Sequence, residues 1–168
     1  MMKKITIILS LLNTSFLLVV LAACENFSFS ETHEGKVVKV LDGDSLNIIQ
    51  QGKEVRIRLA EIDAPEHGQP FWKQSRQALE SYVSDKNVSV EEFDRDQYGR
   101  IVGHVYLNDT WINGKLVQQG YAYVYDRYAV SKKLHEYQAQ AEKNKVGIWK
   151  LPEKQRIKPW DWRKTNLK

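Results

Sequence analysis

E54-V-R-I-R-L-A-E-I-D-A-P-E66 holds a strand and a chemical site in one run. Val55, Ile57 and Leu59 alternate with Glu54, Arg56 and Arg58, the period of a half-buried β-strand. The Ala64-Pro65 step then keeps the chain extended and out of helix. The strand therefore runs out into a loop that carries Asp63 and Glu66.

Working outward, K36-V-V-K-V-L41 is β-branched, and D42-G-D44 supplies turn chemistry before a second strand, S45-L-N-I-I49. Q51-G52 is the next turn. Downstream, F71-W-K-Q-S-R-Q-A-L-E-S-Y-V83 places Phe71, Ala78, Leu79 and Tyr82 on one helical stripe. Strands N87-V-S-V-E-E-F93 and R100-I-V-G-H-V-Y-L107 follow, joined by D94-R-D-Q-Y-G99. A short helix is expected over about Trp111 to Gln119, closed by Gly120. Y121-A-Y-V-Y125 is extended, and S131-K-K-L-H-E-Y-Q-A-Q-A-E142 is helical, with Ser131 as N-cap and Leu134, Tyr137, Gln138 and Ala141 inward. V146-G-I-W149 closes the core. Five strands with a helix between the third and fourth is the order of an OB-fold. The expected class is α+β, mainly β: a five-stranded Greek-key barrel with about three helices over residues 35–150.

The chain has 168 residues, 42% hydrophobic and 27% charged, which suits one globular domain. Lys3 and Lys4, the mostly apolar run to Val20, and L21-A-A-C24 read as an export signal over residues 1–23; a transmembrane anchor is the alternative. L-A-A-C resembles a bacterial lipobox, which implies that Cys24 is lipidated and holds the protein to a membrane facing the periplasm or the extracellular space. An unmodified cysteine in a discarded leader is the other reading. Residues 24–34 then form a tether. Cys24 is the single cysteine, so no disulfide staples the domain. Residues 24–142 carry 14 Lys/Arg against 19 Asp/Glu, whereas residues 143–168 carry 9 against 2. A polyanion site on the acidic body must be built locally. Residues 151–168 read as a basic aromatic tail that captures substrate, touches an anionic membrane or is simply solvated.

Asp44, Asp63 and the Ala64 carbonyl offer hard oxygens suited to Ca²⁺ or Mg²⁺. His33, His67, His104 and His135 show no zinc spacing. Glu66 can orient or deprotonate water, and Arg58 and Arg100 can fork onto phosphate oxygens. Taken singly, D42-G-D44 is also an ordinary hairpin turn, and Arg56 and Arg58 are also solubility charges.

V40-L-D-G-D-S45, R58-L-A-E-I-D-A-P-E66, D96-Q-Y-G-R100 and G120-Y-A-Y-V-Y125, in that order, resemble the thermonuclease (staphylococcal nuclease-like) family over roughly residues 35–150. The resemblance implies a Ca²⁺-dependent nuclease on DNA and RNA that cleaves the P–O5′ bond and leaves 3′-phosphates. By position, Asp44, Asp63 and Ala64 match metal ligands, and Arg58, Glu66 and Arg100 match catalytic residues. Tyr123 and Tyr125, with Tyr98 beside them, match a nucleotide pocket, although Y-A-Y-V-Y is also read as half core and half surface. Ser45 and Ala64 stand where threonines are usual, Gln97 where a lysine is usual, and the loop after Glu66 is short. The segment Pro159-Trp160-Asp161-Trp162-Arg163 resembles one in bacterial relatives. No obligate protein partner is expected, and the protein is expected to be a monomer. A non-catalytic OB-fold nucleic-acid-binding module and a surface interaction lipoprotein are the alternatives.

Overall fold

The computed structural model describes residues 31–166. The signal reading of residues 1–23, Cys24 and most of the proposed tether fall outside that range.

Eight strands and four helices are present among the described residues: β1 (Thr32–Asp42), β2 (Ser45–Gln50), β3 (Lys53–Leu59), β4 (Ile62–Asp63), α1 (Trp72–Val83), β5 (Asn87–Arg95), β6 (Ile101–Leu107), β7 (Thr110–Trp111), α2 (Ile112–Gln118), β8 (Tyr123–Val124), α3 (Lys132–Lys143) and α4 (Pro159–Asn166). The sheet order β3-β2-β1-β5-β6-β7 closes through a further β3–β6 pairing, giving the expected five-stranded barrel.

Closure depends on β1. Its first half pairs with β5, from Thr32↔Glu91 to Lys36↔Asn87, and the rest pairs with β2. Register shifts at Val37/Lys39 and Val40/Asp42 mark the irregularities that let one strand bend into both halves. The opposite seam is short and parallel: Ile57↔Ile101, Arg58↔Val102 and Leu59↔Gly103. Gly103 belongs at this crowded place, because a Cβ there would lie 2.6 Å from the Glu91 carbonyl oxygen.

The inward residues of the alternating strands, Leu46, Ile48, Ile57, Leu59, Val90, Ile101 and Val105, are fully buried. Leu79 and Val83 of α1, Leu116 and Val117 of α2, and Leu134 of α3 join the same core. Asn113 is also buried, with its amide fully used: Oδ1 accepts from the Val105 N–H (2.9 Å), and Nδ2 donates to the carbonyls of Ala60 (3.0 Å) and Gly103 (3.2 Å). It pins α2 to β6 and to the end of β3. Gly120 closes α2 with φ of 70°, as its sequence position suggests.

Three expectations change. The tether does not reach Glu34, because β1 starts at Thr32 and His33 is buried with its ring bonded to Glu92 at 2.7 Å. Ser131 occupies the N-cap of α3 but makes no side-chain cap. Instead the buried Glu61 carboxylate accepts the N–H groups of Val130 and of Ser131, the latter at 2.7 Å. The segment after residue 150 is not merely a solvated tail, since it forms α4, a fourth helix. Pro159 suits a first-turn position, with Asp161 early and Arg163 and Lys164 late along the dipole.

Candidate active site

Register brings the first two residues of the site together. Ser45 of β2 is the cross-strand partner of Arg58 of β3, so Arg58 stands beside Asp44 at the hairpin tip. The Leu59 N–H donates to the Asp44 carbonyl (2.8 Å), laying the tip against the end of β3. Asp63 is fixed by β4, whose partner in β8 is Tyr123. The Ala64 N–H donates to Asp44 Oδ2 at 2.6 Å. Glu66 follows Pro65, and its N–H donates to Gln69 Oε1 (2.9 Å), while the Gln69 amide donates to the Ile157 carbonyl. Arg100 opens β6, where Asp96 holds it twice: Oδ1 accepts its N–H (3.0 Å) and Oδ2 its Nε (2.6 Å).

Asp44, Arg58, Asp63, Glu66, Tyr98, Arg100 and Tyr125 line one cleft of about 680 Å³. Two expected members do not line it. Ala64 is buried. Tyr123, placed with the nucleotide-binding tyrosines by position, is buried between Trp149 and Trp160, with ring centroids at 5.3 and 6.3 Å.

Arg58 lies between the two aspartates. Nη1 is 2.9 Å from Asp44 Oδ2 and Nη2 is 2.8 Å from Asp63 Oδ1. Burial pushes the Asp44 carboxyl well above the usual carboxylate range; Arg58 pulls against this, while Asp42 and Asp63 add to it. Seven carboxyl groups line the cleft, from Asp42, Asp44, Glu61, Asp63, Glu66, Asp94 and Asp96, against the four guanidiniums of Arg58, Arg95, Arg100 and Arg163, a local excess of acidic groups. Crowded, desolvated, all-oxygen donors fit a hard divalent cation. Among the described residues, three ligating atoms already within 4.8 Å of one another occur elsewhere, at Glu31, His33 and Glu92. In the cleft the guanidiniums are lodged between the acids instead.

The staphylococcal nuclease homologue family model matches residues 56–151, more than half of the chain. An Escherichia coli protein described as an uncharacterized endonuclease is 42% identical over 130 residues, covering 77% of this chain and 84% of that one. A Shigella flexneri micrococcal nuclease is 36% identical over 143 residues, covering 79% and 81%. A Haemophilus influenzae protein described as an uncharacterized endonuclease is 36% identical over 157 residues, covering 92% and 85%. The chain belongs to the staphylococcal nuclease family.

Two parts of this family member's cleft lie outside the matched stretch. One is Asp44. The other is Arg163 of α4, whose Nη2 is 2.8 Å and Nη1 3.2 Å from the Asp63 oxygens, and whose Nη1 also bonds Glu66 Oε1. Trp160, one turn earlier, stacks on Tyr125 with centroids 5.0 Å apart and planes 21° apart. The signal for these residues was the tryptophan density of Pro159-Trp160-Asp161-Trp162-Arg163, which is unlike that of a solvated basic tail. Asp96, which orients Arg100, and Glu61, which caps α3, lie inside the quoted motifs but carried no assigned role there.

Proposed function

We propose that this staphylococcal nuclease homologue is a Ca²⁺-dependent endonuclease that hydrolyses DNA and RNA at the P–O5′ bond and leaves 3′-phosphates. Family membership supports nucleic-acid hydrolysis. The observation that carries the finer reading is the convergence of Asp44, Arg58, Asp63, Glu66 and Arg100, drawn from three separate runs, on one cleft.

Asp44 and Asp63 would hold the Ca²⁺, which when bound supplies Lewis-acid polarisation of the phosphate. Glu66 orients the attacking water and accepts its proton. The water oxygen bonds to phosphorus as the P–O5′ bond breaks, and the departing O5′ takes up a proton. Arg58 and Arg100 donate to the phosphate oxygens as charge builds on them. Asp96 engages Arg100 through Nε, which uses one of the five guanidinium donors and leaves the others for substrate. Tyr98, exposed on the rim, and Tyr125, in the cleft, offer faces for bases.

DNA and RNA incubated with the protein and millimolar Ca²⁺ should yield fragments ending in 3′-phosphate, and a chelator should stop the reaction. Glu66→Gln should lower kcat by about 10²–10⁴-fold with little change in folding. Intact substrate in the presence of Ca²⁺ would overturn the proposal in favour of a binding module.

We also propose that Cys24 carries a lipid that anchors the exported protein to a membrane; the lipobox-like L21-A-A-C24 supports this reading.

A further inference from the structure

Asp63 is a buried carboxylate with both oxygens engaged. Oδ1 accepts from Arg58 Nη2 (2.8 Å) and Arg163 Nη1 (3.2 Å), and Oδ2 accepts from Arg163 Nη2 (2.8 Å). The same Arg163 guanidinium bonds Glu66. One cation from the C-terminal helix thus neutralises both an expected ligand of Ca²⁺ and the expected base. A divalent ion on Asp63 would meet that guanidinium at close range. Like charges repel, and the lone pairs that Arg163 uses are those a metal needs.

The helix that brings Arg163 is lightly held. Of the eight residues of α4, Pro159 alone is buried. Beyond that proline it is held by Arg163 itself and by Trp160, which lies flat on Tyr125, covering a ring face in the cleft, and meets the edge of Tyr123. Few buried contacts mean a small cost of local release. The chain just before the helix stays fastened, because the Ile157 carbonyl accepts from the Gln69 amide. Such a helix can leave the cleft without leaving the molecule.

We propose that Arg163 and a divalent cation are alternative occupants of the Asp63–Glu66 pair, so that α4 covers the cleft until cation binding displaces it and uncovers Tyr125. This rests on the reading of Asp44 and Asp63 as cation ligands. Coupling is reciprocal: whatever affinity the docked arginine subtracts from the cation, the cation subtracts from docking.

The test is Ca²⁺ titration of the full-length protein by calorimetry, with tryptophan emission recorded in parallel. Arg163→Gln should bind Ca²⁺ roughly tenfold more tightly than wild type, within the usual span of couplings between sites, and Arg163→Lys should fall between them. The Ca²⁺ concentration that half-activates cleavage should fall by the same factor. Wild type should show a Ca²⁺-driven change in emission that Trp160→Phe lacks. Equal or weaker Ca²⁺ binding by Arg163→Gln overturns the exchange and leaves the cation site standing. Absence of Ca²⁺ binding in wild type and variant alike overturns the cation site and the exchange together. Should Arg163→Gln melt far below wild type, Arg163→Lys carries the comparison.

Discussion

At the scale of single residues, Arg58 has two duties that a catalytic label hides. It is the counter-charge for two buried acids as well as the phosphate donor proposed above. Arg58→Gln should therefore lower stability in chelator by about 3 kcal/mol, the cost of removing the one guanidinium paired with buried Asp44, whereas Asp63 keeps Arg163. Millimolar Ca²⁺ should restore part of it, a rescue visible as a higher melting temperature. Arg100 is tied to the partly exposed Asp96, so Arg100→Lys should cost mainly kcat, with a melting temperature close to wild type. His104 gives a pH signature. Burial lowers its pKa, opposed by Glu61 and Glu91, and its Nδ1 accepts from Trp111 Nε1 at 3.2 Å, so the neutral ring fits the site. The folded value lies below the ordinary 6.5, so the unfolded chain binds the proton first. The stabilisation is present above pH 6.5 and is lost as pH falls toward the depressed value. Melting temperature against pH should slope less over that interval in His104→Gln. The meeting of these residues in one cleft was legible: the alternation from Glu54 to Leu59 aims Arg58 outward, and the D42-G-D44 turn sets the Ser45↔Arg58 register. Of the two readings of Y-A-Y-V-Y, the burial of Tyr123 fits the one that puts half of the run in the core, because the alternation does not last. β8 is two residues long, and a turn from Tyr125 to Tyr128 begins at once, so the two tyrosines do not share a face.

At the scale of elements, the strands and first three helices follow from period and punctuation, while their fastenings do not. Ser131 has the local chemistry of a cap, yet the bonds come from Glu61, 70 positions away. A local pattern cannot report a partner so distant. Glu61→Ala should destabilise by about 1.5–3 kcal/mol by freeing two N–H groups from a charged acceptor, whereas Ser131→Ala should be nearly silent. Thermal melts of the two variants decide between these caps. Asn113 is similar: its amide serves the Val105 N–H and the Ala60 carbonyl and shares the Gly103 carbonyl with the Ala60 N–H, and Asn113→Ala should cost about 2–4 kcal/mol. The helix α4 escaped a reading by periodicity because it is eight residues long and buries only its proline. What holds it lies on β4, on the loop at Glu66 and on Tyr125, and none of these is its neighbour in sequence.

For the whole molecule, charge is divided between an acidic body and a basic end, and the end folds back so that one of its arginines meets the body's acids. Lipid attachment is tested by growth with labelled palmitate: wild type should take up label and sediment with membranes, and Cys24→Ser should do neither. The barrel's parallel seam has one more consequence. Its three residue pairs join strands that lie more than forty positions apart, and Arg58 and Arg100 come to a common cleft only through it. A chain made only as far as α1 already owns Asp44, Arg58, Asp63 and Glu66, yet it lacks Arg100 and the seam that brings it to them. Assembly of the cleft is thereby deferred to the moment the last edge meets the first.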